Sequence, residues 1–329
     1  MPNKYLVTGG GGFLGHAICR KLIQSGNEVV SISRNKYQAL EELGVTQYIT
    51  DIADYSSFSK DAFQGADCVF HVAAKVDMWG KYDDFFRINV KGTENVIKSC
   101  LENGVKKLVY TSSPSVIADG TDLCGIDESY PYPFEYKAYY PHTKALAEIE
   151  VLSSNCKDLF TIALRPHLIW GPGDTHLIPI ILKKAREGKL IRIGTGTNLV
   201  DTCFIEDCVS AHLSAMKALE INPVSRGNVY FISQGEPILL WDWINEILLR
   251  SNMQKIKRSI PKSLAYFLAG LLENISNFMP GNPEPRLTRF LVSEMATSHY
   301  FNICSAKNDL GFEPHYSIKR GMELTFPSL

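Results

Sequence analysis

The sequence predicts an α/β protein: a doubly wound parallel sheet with a smaller, discontinuous C-terminal unit. Three observations lead there. Through the first half of the 329 residues, apolar runs of strand length alternate with helix-patterned segments, the pattern of a parallel sheet with a helix in each crossover. A glycine turn, Thr8-Gly9-Gly10-Gly11-Gly12-Phe13-Leu14-Gly15, joins the first strand to the first helix. The alternation stops after Arg165, where Pro166, Gly171-Pro172-Gly173 and Pro179 interrupt it.

Taken in order, Tyr5-Leu6-Val7 reads as the first strand and His16 to Ile23 as an amphipathic helix. Between them Gly9 permits a tight turn, Gly12 leaves room for a pyrophosphate, and Gly15 lets helix and strand pack closely. Anions are favoured at a helix N-terminus, so Gly9, Gly12, Phe13, Leu14 and Gly15 form the expected dinucleotide cradle. Further strands are expected at Glu28–Ser33, Gln47–Thr50, Cys68–Val72, Lys107–Thr111 and Phe160–Arg165, with helices over Tyr82–Glu102 and Tyr136–Leu152. Right-handed crossovers make this a Rossmann-type domain over residues 1–165. Residues 166–329 are expected to form mainly a substrate lid, with chain returning to the main sheet near 203–235. There, Ile178–Glu187, Glu206–Leu219 and Trp241–Arg250 read as helices and Asn228–Ile232 as a strand. The apolar stretch Ile260–Phe278 precedes a turn-rich segment, Met279–Pro285.

A hydrophobic content of 45% and a formal net charge of -1 fit a globular chain with no global attraction to nucleic acid or anionic membranes. The apolar run Leu264–Leu272 falls short of the roughly 20 residues that span a bilayer. Burial of that run against the lid or a subunit partner, such as a homodimer mate, is expected ahead of peripheral membrane contact. The eight cysteines show no Cys-x-x-Cys pair or zinc spacing. They are expected reduced, in a cytoplasmic protein without a signal peptide, and no metal site is expected.

An NAD-selective site places an acid at the end of the second strand to hold the ribose hydroxyl. Here Ser33 and Arg34 stand there, followed by Lys36. Such groups suit a 2′-phosphate, so NADP(H) is preferred and NAD(H) remains compatible. Asp51 and Ile52 follow the third strand, where Asp51 either accepts from the adenine amino group or caps its own loop.

Of the 15 tyrosines only Tyr140 has a lysine four residues on, Lys144. On a helix that spacing puts both on one face. A phenol near its ordinary pKa of about 10 is a poor acid–base group at neutral pH, and a neighbouring ammonium is expected to lower it. Ser113, just past the fifth strand, can hydrogen-bond a substrate oxygen. Asn89 can orient Lys144 through backbone or water.

Together, Thr8-Gly9-x-x-Gly12-x-x-Gly15, the Asp51 turn, His71-Val72-Ala73-Ala74, Asn89, Ser113 and Tyr140-x-x-x-Lys144 resemble the extended short-chain dehydrogenase/reductase family. The resemblance spans nearly the whole chain. It implies Ser113, Tyr140 and Lys144 as the catalytic set with Asn89 in support, and adds Ala73, Ala74, Lys75, Pro166 and His167 as cofactor contacts. Leu164 to Asp174 and Ser305 to Pro314 look like the 3β-hydroxysteroid dehydrogenase/isomerase group. Tyr132-Pro133, Trp170 and Asn198 to Thr202 look like the bacterial 2-alkyl-3-oxoalkanoate reductases. That likeness implies NADPH-dependent reduction of a β-keto acid. Met78, Trp79, Tyr132, Phe134 and Trp170 would then supply an apolar substrate pocket, with Ser113 at the reacting oxygen. Pro114-Ser115, where a 4,6-dehydratase of this family carries Asp-Glu, disfavours dehydration. A sugar-nucleotide epimerase would use the same Ser, Tyr and Lys and bind a diphosphate through bases such as Arg192, Arg226, Arg286 or Arg289. A non-catalytic NADP-binding sensor would not need the Ser–Tyr–Lys set.

Overall fold

The computed structural model describes residues 2–56 and 60–327. Its main sheet has seven parallel strands: β1 (Lys4–Thr8), β2 (Glu28–Ser33), β3 (Thr46–Ile49), β4 (Cys68–His71), β5 (Lys107–Thr111), β6 (Phe160–Pro166) and β7 (Asn228–Ile232). Their order is β7-β6-β5-β4-β1-β2-β3. The order reverses between β1 and β4, so a crevice opens beyond their C-terminal ends, where sheets of this kind bind ligands.

Side-chain alternation along the strands builds two cores. Tyr5, Val7, Phe70, Val109 and Ile162 point to one face, under α1 (Phe13–Gln24) and later chain. Leu6, Val30, Val69, Leu108 and Ala163 point to the other, under α2 (Gly92–Glu102) and α3 (Tyr139–Ser153). Burial on both faces explains why the strands read as unbroken apolar runs.

The chain does come back to the sheet after residue 166. Helix α4 (Ile205–Ile221) packs beside α1 on β5 and β6, and β7 pairs with β6 from Asn228↔Ile162 to Ile232↔Pro166. A second sheet of four short strands runs Ile238–Leu239, Leu199–Val200, His299–Phe301, Leu123–Ile126. It thus borrows Leu123–Ile126 from the earlier half, fastened by Leu123 N donating to Ser298 O and Ser298 N to Asp122 Oδ1.

The expected helix Tyr82–Glu102 is one helical run with a fault in it. Tyr82–Phe85 is α, Phe86–Lys91 is a π turn, and α2 follows. Such turns cluster at functional sites, and this one carries Asn89.

The apolar run Leu264–Leu272 lies in α5 (Lys262–Phe278). The expectation of burial against the lid fails for one face of that helix: Ala265, Ala269, Glu273 and Ser276 are buried and Tyr266 packs on the core, while Leu264, Phe267, Leu268, Leu271, Ile275 and Phe278 are exposed.

Candidate active site

The glycine turn is shaped differently at each glycine. Gly9 sits at φ +72°, and a Cβ there would lie 2.9 Å from the Ala73 Cα. At Gly15 a Cβ would fall 2.2 Å from the Gly9 carbonyl oxygen, deep inside the contact distance. At Gly12 it would meet only that same oxygen, at 3.4 Å, so Gly12 borders open space. Gly12 is also the N-cap of α1, with no side-chain cap and no acid in the first turn. Uncapped first-turn amides beside open space fit a pyrophosphate. The two glycines therefore separate by experiment. Gly12→Ala is expected to fold normally and to weaken dinucleotide binding at least about tenfold through lost close approach. Gly15→Ala forces backbone apart and is expected to lower stability by about 2 kcal/mol or more. Thermal melting with and without cofactor reads both; equal melting loss in the two variants would refute the assignment.

The turn is held to β4 by a buried chain of hydrogen bonds whose polarity can be worked out. Thr93 Oγ1 donates to Asn89 O (2.6 Å), so it accepts from His71 Nε2 (2.9 Å). His71 Nδ1 is then bare and accepts from Thr8 Oγ1 (2.7 Å). The Thr8 oxygen in turn accepts from the amides of Val72 and Ala73, each at 3.1 Å. Every member is satisfied with a neutral imidazole, and burial holds the His71 pKa down to about 3, with Lys144 adding to the effect. Ala73 and Ala74 are thereby placed beside the glycine turn.

Asn89 ties three elements together. Its Oδ1 accepts from Lys75 N (2.7 Å), and its Nδ2 donates to Lys75 O (3.1 Å) and Thr143 Oγ1 (3.0 Å). It fixes the loop after β4 against α3, one residue from Lys144. The Lys75 side chain turns to Asp77 and lies 5.0 Å from the Phe85 ring.

Ser113 is the N-cap of the 3-10 turn Pro114–Ile117 that follows β5. Its Oγ accepts from Ser115 N (3.2 Å) and Ser115 Oγ (2.9 Å). Ser113 lies close enough to the Tyr140 hydroxyl to act on its pKa. Half-buried Tyr140 has its pKa raised by burial, opposed by Ser113 and reinforced by the Glu294 charge.

This corrects the expectation that Lys144 lowers the Tyr140 pKa. Lys144 is only 2% exposed. Its Nζ donates to Thr111 O (2.6 Å) and sits 4.2 Å from the Tyr110 ring centre. Burial brings its own pKa down to about 7, with Glu148 acting in the opposite direction. With its Nζ held by a backbone carbonyl, Lys144 is not among the groups that move the pKa of the resting phenol.

Two groupings not foreseen in the sequence, where His167 was expected only as a cofactor contact, complete the site. Glu148, one turn beyond Lys144, is fully buried and chelated by Arg165 at the end of β6: Nε to Oε2 at 3.0 Å, Nη2 to Oε1 at 2.5 Å. The spacing Lys144-x-x-x-Glu148 was the available signal. The second is a histidine relay. His299 Nε2 faces Glu294 O (2.8 Å) and so donates to it; its bare Nδ1 accepts from His167 Nε2 (2.7 Å). Burial, helped by His299, keeps the His167 pKa well below its ordinary value. His167, Glu294, His299 and Phe301 line a small cavity together with Pro114 and Ser115, just past Ser113. His167 follows Pro166, the last residue of β6.

Several expected contacts point elsewhere. Trp170 is fully buried, donates to Gln234 Oε1 (3.2 Å) and packs edge-on against Phe204 and Trp243, so it is core and not pocket. Tyr132 turns inward and donates to Glu148 Oε1 (2.6 Å). Trp79 donates to Asn282 at the edge of the crevice; Met78 and Phe134 are exposed. Asp51 caps its own loop through Ala53 N (3.0 Å) and pairs with Arg87 (2.7 Å), so its carboxylate is already engaged. Ile52 is buried in the core on the α2 side of the sheet. Ser33 is half-buried and Arg34 exposed at the end of β2, whereas Lys36 is held by Glu41 at 2.9 Å. Among the arginines proposed for a diphosphate, Arg226 stacks on Phe160 and caps Leu219 O, and Arg289 is paired with Glu273. The structure does not gather them at one site.

A glycine turn shaped for a pyrophosphate at the sheet crevice, with Ser113 and Tyr140 close together and Lys144 buried against the end of β5, marks a nicotinamide-dependent oxidoreductase of the short-chain dehydrogenase/reductase type. Comparison with known proteins agrees. The model of the 3-beta hydroxysteroid dehydrogenase/isomerase family matches residues 6–262, and the chain belongs to that family. It is 43% identical to a 2-alkyl-3-oxoalkanoate reductase of Shewanella oneidensis, over 98% of this chain and 85% of that one. It is 35% identical to a mouse sterol-4-alpha-carboxylate 3-dehydrogenase (decarboxylating), over 99% and 90%. A Bacillus cereus UDP-glucuronic acid 4-epimerase solved in complex with NAD shares the fold, with a TM-score of 0.73 at 22% identity, over 98% of this chain and 97% of that one.

Proposed function

We propose that this enzyme reduces the ketone of an apolar β-keto acid, with NADPH as the preferred donor. The observation that carries the reading is the Ser113–Tyr140 pair: a phenol kept protonated by burial, with a second hydroxyl close enough to act on its pKa. That is a proton donor poised for an oxygen gaining negative charge. The open edge at Gly12 and the uncapped first turn of α1 fit the pyrophosphate of a dinucleotide. The nicotinamide, when bound, supplies the hydride. Tyr140 gives its proton to the ketone oxygen. Ser113 turns its hydrogen bond to the same oxygen. Lys144, charged below pH 7, favours the anionic character that builds up there. Asn89 holds the loop after β4 and α3 in register, so that cradle and acid keep their separation.

The substrate class is supported by the reductase relative, whose printed activity concerns a 2-alkyl-3-oxoalkanoate and whose likeness extends over nearly all of this chain. The preference for NADPH is supported by exposed Arg34 at the end of β2, where no acid stands. Calorimetric titration tests it. NADPH is expected to bind more tightly than NADH, and Arg34→Ala to remove about tenfold to a hundredfold of that preference, the range of a charged hydrogen bond. Equal affinities, unchanged in Arg34→Ala, would refute it. Turnover of a 2-alkyl-3-oxoalkanoate, followed at the NADPH absorbance, tests the substrate class.

A further inference from the structure

Among the described residues nothing covers one face of α5. Ala265, Ala269, Glu273 and Ser276 turn inward, with Glu273 accepting from Arg289 of the neighbouring helix at 2.6 Å. The opposite face presents Leu264, Phe267, Leu268, Leu271, Ile275 and Phe278, which are 48, 64, 39, 46, 57 and 91% exposed. Their spacing is that of a single helical stripe. A soluble helix normally buries such residues; this one buries alanine and exposes phenylalanine.

The helix adjoins two loops at the C-terminal side of the main sheet. Trp79, in the loop after β4, donates to Asn282 just beyond the helix C-terminus (3.2 Å to its carbonyl oxygen, 3.1 Å to Oδ1). Lys137, in the loop before α3, lies 5.9 Å from the ring centre of Tyr266 on the helix itself. Those two loops also carry exposed Met78 and Phe134.

Charge selects the occupant. From Ser251 to Leu272 the chain has no acidic residue, but it has Lys255, Lys257, Arg258 and Lys262. The first three are exposed and lead directly into the helix. An apolar stripe beside a cationic flank is the pattern of a helix that lies in an anionic lipid interface. A second copy fits less well, because a two-fold contact sets this helix against itself, and the chain from Ser251 to Leu272 offers no acid to meet its own cations. Among the described residues no helix is long and apolar enough to cross a bilayer, so contact would be from one side.

We propose that this face docks the enzyme on the surface of an anionic membrane, with the crevice mouth at the lipid boundary. The purpose of the docking, direct passage of an apolar substrate from lipid to Tyr140, rests on the function proposed above. The docking itself does not need it.

The test is co-sedimentation of the full chain with phosphatidylcholine vesicles, with and without phosphatidylglycerol. Binding is expected to be at least about tenfold stronger with the anionic lipid and to weaken as salt rises. Phe267→Ser/Leu271→Ser/Ile275→Ser should abolish it. Lys255→Glu/Lys257→Glu should remove the anionic preference. Both variants should keep NADPH binding and turnover of a short, water-soluble β-keto acid, which shows that they are folded. Wild-type protein left in the supernatant by both vesicles overturns the proposal. So does a dimer in sedimentation equilibrium that the triple serine variant splits, without vesicle binding, since the face would then belong to a second copy. Vesicle binding without turnover of any β-keto acid would support the docking and refute the function.

Discussion

Tyr140→Phe is expected to lower kcat for ketone reduction by about 10²–10⁴-fold, the usual range for loss of a general acid. NADPH affinity should be unchanged, because the ring remains and only the hydroxyl beside Ser113 is lost. Calorimetry and steady-state kinetics on the same preparation separate the two; parallel loss of binding and rate would place the phenol in cofactor binding instead. The pH dependence follows from the same geometry. Burial has raised the Tyr140 pKa above its ordinary value, so the acid stays protonated through neutral pH. The group that titrates there is Lys144, at about 7. Its charged form assists a transition state that is gaining negative charge, so kcat/KM for reduction should fall as pH rises through about 7. Lys144→Met should leave a low, flat profile. A wild-type profile flat from acid to mild alkali would show that the lysine charge takes no part.

The parts legible in the sequence are those fixed by local chemistry. Glu28–Ser33 and Asn228–Ile232 have the expected strand bounds because β-branched apolar runs between turns leave few alternatives. The glycine turn was readable because each glycine has a steric duty. What escaped depends on contacts distant in sequence. Arg165 reaches Glu148 across 17 residues, and His167 meets His299 across 132; no local pattern announces either. The π turn at Phe86–Lys91 was invisible for another reason: one extra residue in a turn barely disturbs the apolar period of the long helix. Aromatic residues misled because an indole or phenol suits a pocket and a core equally well. Trp170 and Tyr132 both turned inward, each with a hydrogen-bond partner for its polar atom. Helix α5 misled in the opposite direction. Apolar composition suggested burial, but the sequence does not say whether the alanine side or the phenylalanine side faces the protein.

Glu148→Leu is expected to be the most destabilising single change near the site. It leaves the Arg165 guanidinium buried without its carboxylate, and arginine cannot shed its charge to escape. Breaking such a pair from one side costs about 3–5 kcal/mol, or a fall in Tm of roughly 5–10 °C. Activity will drop in this variant, but a damaged fold explains that as well as a lost charge does. Glu148→Leu/Arg165→Met separates the explanations. Replacing both partners with apolar groups of similar size is close to neutral for stability, and the half-buried Tyr132 hydroxyl can turn to water. The double variant should therefore melt near the wild-type temperature. It should not recover the wild-type pH profile. The Glu148 charge opposes the desolvation of Lys144, so without it the lysine gives up its proton more readily. The falling limb of kcat/KM should move to lower pH, and the rate at pH 7 should stay depressed while the rate in mild acid recovers. A double variant that regains both stability and the original limb would mean that Glu148 serves only to pair with Arg165. A shifted limb at restored stability would mean that the buried pair sets the charge state of Lys144, linking the end of β6 to the proton chemistry at Tyr140.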